Sequence, residues 1–154
     1  QYLRRLFLNN DLALGRYRVA GKPVALADVR VPMFVVGTES DHVAPWRSVY
    51  KIHLLASGEI TFALTTGGHN MGIVSPPGTP KRGYRLLTHS HEGRYIDADT
   101  YLAQAARHEG SWWTAWFAWL DAHSTGAEAP PRMGAPTKGY PPIEAAPGSY
   151  VMQT

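Results

Sequence analysis

The stretch MFVVGTESDHVAPW, residues 33–46, places an apolar run directly before a carboxylate and an imidazole, those of Asp41 and His42. Residues 33–38 are continuously apolar and rich in β-branched and aromatic side chains, which is typical of a parallel strand covered on both faces. Pro45 suits the first turn of a helix. We therefore expect a buried strand, a polar loop carrying Asp41, and then a helix.

The next residues complete a strand–helix–strand pattern. Residues 46–57, WRSVYKIHLLAS, have apolar side chains at helical spacing before Gly58, and ITFALTT, 60–66, predicts a second buried strand. Such a βαβ unit favours a parallel sheet with a crossover helix. The Asp41 loop and the glycine-rich loop GGHNMG, 67–72, then lie at the same sheet edge, where open α/β sheets place their sites.

Other elements follow from weaker patterns. Residues 2–8 indicate an amphipathic helix, residues 16–32 a short hairpin or extended connector, and residues 88–97 a polar, irregular segment. Asp99 can cap a helix over 100–108 and Ser111 a helix over 112–123. The second of these is apolar nearly all round, so we expect it to lie between other elements.

The end of the chain differs in composition from the rest. Six of the twelve prolines lie in residues 129–154, where little periodicity remains. The sequence predicts an α/β domain over residues 1–128, with helices toward its C-terminal end. A Pro-rich extended tail, residues 129–154, is expected to pack on the same domain.

Composition narrows the functional classes. The net charge is +3 with basic residues scattered along the chain, which argues against nucleic-acid binding. No apolar run reaches the roughly 18 residues of a membrane span, and the N-terminal residues do not resemble a signal peptide. A cytoplasmic protein without a transmembrane segment is expected. Cysteine is absent, which excludes a cysteine nucleophile within these residues.

Asp41 and His69 form a candidate acid–base pair. In a catalytic triad the carboxylate orients the imidazole, which moves the proton of a nucleophile. Each residue also has a simpler interpretation, Asp41 as a helix cap and His69 as a loop histidine. The βαβ spacing and the surrounding glycines favour the pair. None of the eight serines lies in a G-x-S-x-G elbow, so the nucleophile is missing from this chain.

Five phrases carry a family resemblance: ESDHVAPW, GGHNMGIVSPPG, KRGY, HEGSWWTAWFAWL and APGSYV. Together they resemble the C-terminal part of the catalytic domain of poly(3-hydroxyalkanoate) synthases, polyester polymerases of the α/β-hydrolase superfamily. The resemblance implies transfer of hydroxyacyl groups from hydroxyacyl-coenzyme A, through a cysteine thioester, to a growing polyester. By motif, Asp41 is the catalytic aspartate and His69 the general base. The family's G-x-C-x-G elbow lies upstream, so this chain alone is expected to be inactive.

The same resemblance implies partners. Hydroxyacyl-coenzyme A is a substrate, no cofactor is expected to be bound, and the full-length protein is expected to form a homodimer at the surface of cytoplasmic storage granules. His42, Lys81 and Arg82 are candidates for contacts with coenzyme A, although a hydrogen-bonded histidine and solvated surface charges are the simpler interpretations.

Two features have competing interpretations. His89 and His91 could bind a metal, but a third ligand is not apparent and no metal is expected. The tryptophans of residues 112–119 could form a granule-surface belt, although core packing explains their spacing better.

Two rival functions remain open. The first is a fragment of a serine α/β-hydrolase or depolymerase, which would have a serine elbow upstream. The second is a non-enzymatic module in which the Asp41–His69 pair is structural.

Overall fold

The computed structural model describes residues 1–90 and 92–153. Its strands are β1 (Tyr17–Val19), β2 (Lys22–Val24), β3 (Met33–Thr38), β4 (Ile60–Thr65), β5 (Gly83–His89) and β6 (Ala106–Glu109). Its α-helices are α1 (Trp46–Val49), α2 (Ala98–Gln104) and α3 (Trp113–Ala122), and a π-helical segment spans Leu3–Leu8. The chain divides into two compact units, residues 1–123 and residues from 124 onward.

A four-stranded mixed sheet, ordered β3-β4-β5-β6, forms the centre of the first unit. β3 pairs with β4 in parallel from Met33↔Ile60 to Thr38↔Thr65. β4 and β5 pair antiparallel, as do β5 and β6. The predicted α/β class and the parallel pairing of the first two strands are therefore confirmed, and β1 and β2 form the expected hairpin.

The connection between β3 and β4 is less regular than predicted. Instead of one helix over residues 46–57, α1 is a single turn and continues as a 3-10 helix, Tyr50–Leu54. Val49 and Ile52 are β-branched, which lowers their preference for an α-helix. Both pack against the core cluster together with the buried ring of Tyr50. Packing on the sheet therefore determines the local geometry here.

The strands β5 and β6 were not predicted, and two sequence assignments were wrong because of them. Residues 88 and 89 belong to β5, and the helix assigned to residues 100–108 ends at Gln104 before β6 begins. Asp97, not Asp99, caps α2, because its Oδ1 accepts the N–H groups of Asp99 and Thr100 at 2.9 and 2.8 Å. Because β5 and β6 contain many polar residues, their sequences lack the apolar pattern of a strand. Pairing with neighbouring strands stabilises them.

The expectation that the last helix is enclosed was also wrong. Trp112 and Trp119 contact Phe34 of β3, with ring centroids 6.1 and 5.9 Å apart. In contrast, Phe117 is 44% exposed. The helix thus packs on the sheet by one face, although its apolar residues run around the whole circumference.

The second unit contains short turns. A 3-10 helix spans Pro136–Lys138, an isolated bridge joins Ala135 and Tyr140, and a second 3-10 helix spans Tyr150–Met152. Glu144 Oε1 accepts hydrogen bonds from the N–H and the hydroxyl of Ser149 at 2.9 and 3.1 Å. The predicted domain boundary after residue 128 and the packing of the tail stay predictions. In the described part of the chain, no helix is long and apolar enough to cross a membrane.

The core of the first unit lies between the sheet, α1 and α2. It contains Tyr50, Ile60, Phe62, Leu64, Tyr101 and Ala105. Tyr101 on α2 is 1% exposed, and its hydroxyl lies 3.2 Å from the carbonyl oxygen of Phe62 and 3.1 Å from that of Arg85. Burial raises the pKa of this phenol, so it remains a neutral hydrogen-bond donor. Tyr101 thereby connects α2 to β4 and β5.

Removing this hydroxyl tests the contribution of that connection. Tyr101→Phe leaves the ring in place but removes the donor to two strand carbonyls, so the free energy of unfolding should fall by about 1–2 kcal/mol. Urea denaturation of the chain measures this loss. Tyr150→Phe, at a position that is 83% exposed, is the matched control. Equal stability of the Tyr101 variant and the control would contradict this role.

Candidate functional site

Backbone pairing beyond the ends of β3 and β4 brings two polar loops together. The N–H of Glu39 donates to the carbonyl of Thr65 at 2.9 Å, and the N–H of Ser40 donates to the carbonyl of Gly67 at 3.0 Å. These bonds continue the parallel ladder past the last paired residues, Thr38 and Thr65. The following residues of both loops are therefore held at the same edge of the sheet.

Asp41 and His69 meet at this edge. Oδ2 of Asp41 lies 2.9 Å from Nδ1 of His69, within the hydrogen-bond distance expected of an acting pair. The Asp41 side chain is 8% exposed and that of His69 is 50% exposed. The carboxylate is thus enclosed, while the imidazole remains accessible beside it. The predicted proximity is confirmed, and the catalytic role of the two residues stays a prediction.

The second carboxylate oxygen of Asp41 closes its own loop. Oδ1 accepts the N–H groups of Val43 and Ala44, both at 2.8 Å, which is an Asx-type turn. The bond from Ala44, followed by that from His69, lowers the pKa of Asp41 from 3.8 to about 2. The sequence left two alternative roles for Asp41, that of a helix cap and that of the partner of His69. The carboxylate instead organises the turn before α1 with one oxygen and binds His69 with the other.

His69 lies in a tight turn that starts directly after β4. The N–H of Gly72 donates to the carbonyl of Gly68 at 2.9 Å, and the N–H of Val74 donates to that of Asn70 at 2.8 Å, so residues 68–74 coil like a helix. Gly67 enters the turn at φ +108°, a conformation that favours glycine. A Cβ atom on Gly72 would lie 2.5 Å from Cγ2 of Thr38. The turn is therefore packed directly on the end of β3.

Comparison with known proteins identifies the context of this site. A poly(3-hydroxyalkanoate) polymerase subunit of Rhizobium etli is 37% identical over 153 residues, which are 99% of this chain and 23% of the relative. The corresponding subunit of Cupriavidus necator is 35% identical over 97% of the chain, and the polymerase of Methylorubrum extorquens is 38% identical over 97%. The chain belongs to the poly(3-hydroxyalkanoate) polymerase family. It spans about a quarter of the length of these curated relatives. No family model matches it.

The polymerase-derived assignments to His42, Lys81 and Arg82 have different structural settings. His42 is exposed, and within 1–90 and 92–153 no hydrogen bond joins it to another residue, so its interpretation as a hydrogen-bonded histidine stays a prediction. Lys81 is exposed with φ +57°. Arg82 is partly buried, and its Nη1 would lie 2.8 Å from a Cβ atom on Gly67. Of the three, Arg82 is thus placed against the turn that carries His69.

Of the two histidines considered as metal ligands, His91 lies outside the described residues. His89 is within them, and its Nε2 is 2.8 Å from the carbonyl oxygen of Arg94. Over the ranges 1–90 and 92–153, no three His, Asp or Glu side chains are grouped to hold a metal ion.

Sequence reasoning missed the residues that support the His69 turn. Side chains of Ser111, Trp112 and Trp113 donate hydrogen bonds to carbonyls of residues 72–75. The sequence indicated a helix cap for Ser111 and either core packing or a granule-surface belt for the tryptophans. A contact between segments about 40 residues apart leaves no periodic signal in the sequence.

Neutralising Asp41 should produce a pH-dependent loss of stability. The folded-state pKa of about 2 lies below the ordinary value of 3.8, so the stabilisation is present above pH 4 and is lost as the pH falls toward 2. Asp41→Asn should therefore unfold at lower urea concentration than the wild type at pH 7, and the difference should narrow between pH 4 and pH 2. Asp121→Asn, an exposed carboxylate on α3, is the control. A difference that is independent of pH would contradict the assignment.

The packing of the His69 turn can be tested with two glycines. Gly72→Ala places a methyl group against Thr38, whereas Gly68→Ala meets nothing closer than the carbonyl oxygen of Ser40 at 3.8 Å. Overpacking should cost Gly72→Ala about 1–3 kcal/mol of unfolding free energy, and Gly68→Ala much less. Urea denaturation measures both. Equal effects of the two substitutions would show that the turn is not packed as described.

Proposed function

We propose that this chain supplies the acid and base of a Cys–Asp–His site in a polymerase that transfers hydroxyacyl groups from hydroxyacyl-coenzyme A to a growing polyester. The observation that carries the proposal is the bond between Asp41 Oδ2 and His69 Nδ1, which leaves Nε2 of the half-exposed imidazole for a nucleophile. The family relationship supports the substrate class, since the relatives are poly(3-hydroxyalkanoate) polymerases.

The proposed chemistry has two half-reactions. Nε2 of His69 takes the proton of a cysteine thiol, and the thiolate attacks the thioester carbonyl of hydroxyacyl-coenzyme A. The bond to the coenzyme A sulfur breaks, and that thiol leaves with the proton. In the second half, His69 takes the proton of the chain-end hydroxyl, whose oxygen attacks the enzyme thioester. An ester bond forms, and the cysteine sulfur recovers a proton from His69.

Asp41 acts in this scheme by orienting His69. Both of its oxygens are engaged, one with two backbone N–H groups and one with the imidazole. A carboxylate with a pKa of about 2 is also a weak proton acceptor near neutral pH. These properties favour stabilisation of the imidazolium by Asp41 over direct removal of a proton from the polyester hydroxyl.

The remaining parts of the site lie outside this chain. Its residues include no cysteine, so the chain alone is proposed to be inactive. Arg82, beside the His69 turn, is proposed to contact coenzyme A, together with Lys81 and His42. We also propose that the full-length polymerase forms a homodimer. It is proposed to act in the cytoplasm, at the surface of polyester granules. The α/β-hydrolase fold is proposed for the whole catalytic domain.

The proposal is tested in the longer polymerase that contains this segment. His69→Ala should abolish release of coenzyme A and synthesis of polymer, with a loss of at least about a thousandfold. His108→Ala, at an exposed position on β6, should retain activity. The isolated chain should release no coenzyme A.

Three results would contradict this assignment. Full activity of the His69 variant would remove its role as the base. A serine in the upstream elbow would favour a hydrolase instead of a polymerase. Activity of the isolated chain would exclude the cysteine thioester.

A further inference from the structure

We propose that Trp112 and Trp113 are positioning residues for His69, which they hold through its turn without contacting substrate. The inference rests on the proposed function of His69 as the base. Nε1 of Trp112 donates to the carbonyl of Gly72 at 3.1 Å, and Nε1 of Trp113 donates to the carbonyl of Ile73 at 2.9 Å. Both indoles come from one end of α3, about 40 residues further along the chain.

The Gly72 carbonyl needs such a donor because of where it lies, whereas the Ile73 carbonyl also accepts the N–H of Ser75 at 3.0 Å. Residues 68–74 coil like a helix, and the last carbonyls of a helical turn have no partner within it. Helices commonly satisfy these groups with backbone N–H groups from the residues that follow. Here the chain turns at Ser75 into Pro76 and Pro77, which have no N–H to offer. The indole of Trp112 replaces the missing backbone donor at the Gly72 carbonyl, and that of Trp113 adds a second donor at the Ile73 carbonyl.

A shared hydroxyl connects the same turn to the start of α3. Ser111 Oγ accepts the N–H of Trp113 at 3.0 Å and donates to the carbonyl of Ser75. Both serines are buried. Three consecutive residues, 111, 112 and 113, thus bind the carbonyls of residues 75, 72 and 73, respectively. The N-terminal end of α3 and the C-terminal end of the His69 turn are joined as one rigid piece.

A rigid turn is needed to keep His69 oriented toward Asp41. The turn contains Gly67, Gly68 and Gly72, which lose much conformational freedom when ordered. Its first end is fixed by the sheet, because the N–H of Ser40 donates to the carbonyl of Gly67. The indoles fix its other end. His69 lies between the two anchors, so its Nδ1 remains directed at Asp41 only while both ends hold.

Substitution of each indole by a phenyl ring tests the inference in the longer polymerase. Trp112→Phe, Trp113→Phe and the double variant remove N–H donors but keep aromatic rings. We expect kcat to fall about ten- to hundredfold, because small misplacements of a catalytic group are costly, while KM for hydroxyacyl-coenzyme A changes less than about twofold. Trp116→Phe makes the same change on α3, where Trp116 contacts the rings of Trp112 and Phe117, and should leave kcat unchanged.

A second readout does not depend on activity. The ring N–H resonance of the hydrogen bond from His69 to Asp41, observed by NMR in this chain, should weaken through faster solvent exchange in the Trp112 and Trp113 variants but not in the Trp116 variant. Because this resonance reports only folded molecules, it also remains informative for variants that are less stable.

The outcomes separate the two proposals. If His69→Ala abolishes activity but the indole variants behave like Trp116→Phe, the positioning role is overturned and the proposed function stands. If His69→Ala retains activity, the proposed function fails, and an unchanged ring N–H resonance in the indole variants would overturn the positioning role as well. A loss confined to KM would place the indoles in substrate binding and would also overturn it.

Discussion

The parallel pairing of β3 and β4 is the constraint on which the site depends. Its ladder continues through Glu39 and Ser40, whose N–H groups bond to the carbonyls of Thr65 and Gly67. Without this continuation, the loops that carry Asp41 and His69, 28 positions apart in the chain, would not be held at a fixed distance from each other. With it, Asp41 and His69 lie at hydrogen-bond distance. The burial of β4, whose six residues are all inaccessible, makes the register costly to shift, since a slip by one residue would turn each side chain to the other face.

Asp41 shows how one side chain can serve local structure and chemistry together. Its Oδ1 closes the turn before α1, and its Oδ2 binds His69. The backbone bonds lower the pKa of the carboxyl group and fix its orientation toward the imidazole. The structural interpretation of Asp41 therefore does not compete with the proposed catalytic one. A carboxylate held by the backbone is better placed to orient a base than one that is free to rotate.

The sequence predicted the parts of the fold that depend on local apolar patterns. β3, β4 and the loops after them follow from two largely apolar runs, so the position of the Asp41–His69 pair could be predicted. β5 and β6 carry Arg85, Arg107 and His108 among their residues, and only pairing with a neighbouring strand identifies them as strands. The enclosure of α3 was predicted wrongly, since apolar periodicity does not reveal whether a partner covers each face. The hydrogen bonds from the indoles to the His69 turn depend on tertiary contacts, so they could not be predicted from the sequence either.

In the proposed mechanism His69, oriented by Asp41, activates a cysteine in the longer polymerase. Rapid-quench measurement of thioester formation in the first turnover with hydroxyacyl-coenzyme A tests this claim most directly, because it isolates the step in which the imidazole accepts the thiol proton. We expect rapid acylation of the wild type, slower acylation of Asp41→Asn and no detectable acylation of His69→Ala. Formation of the thioester by the His69 variant at the wild-type rate would contradict it.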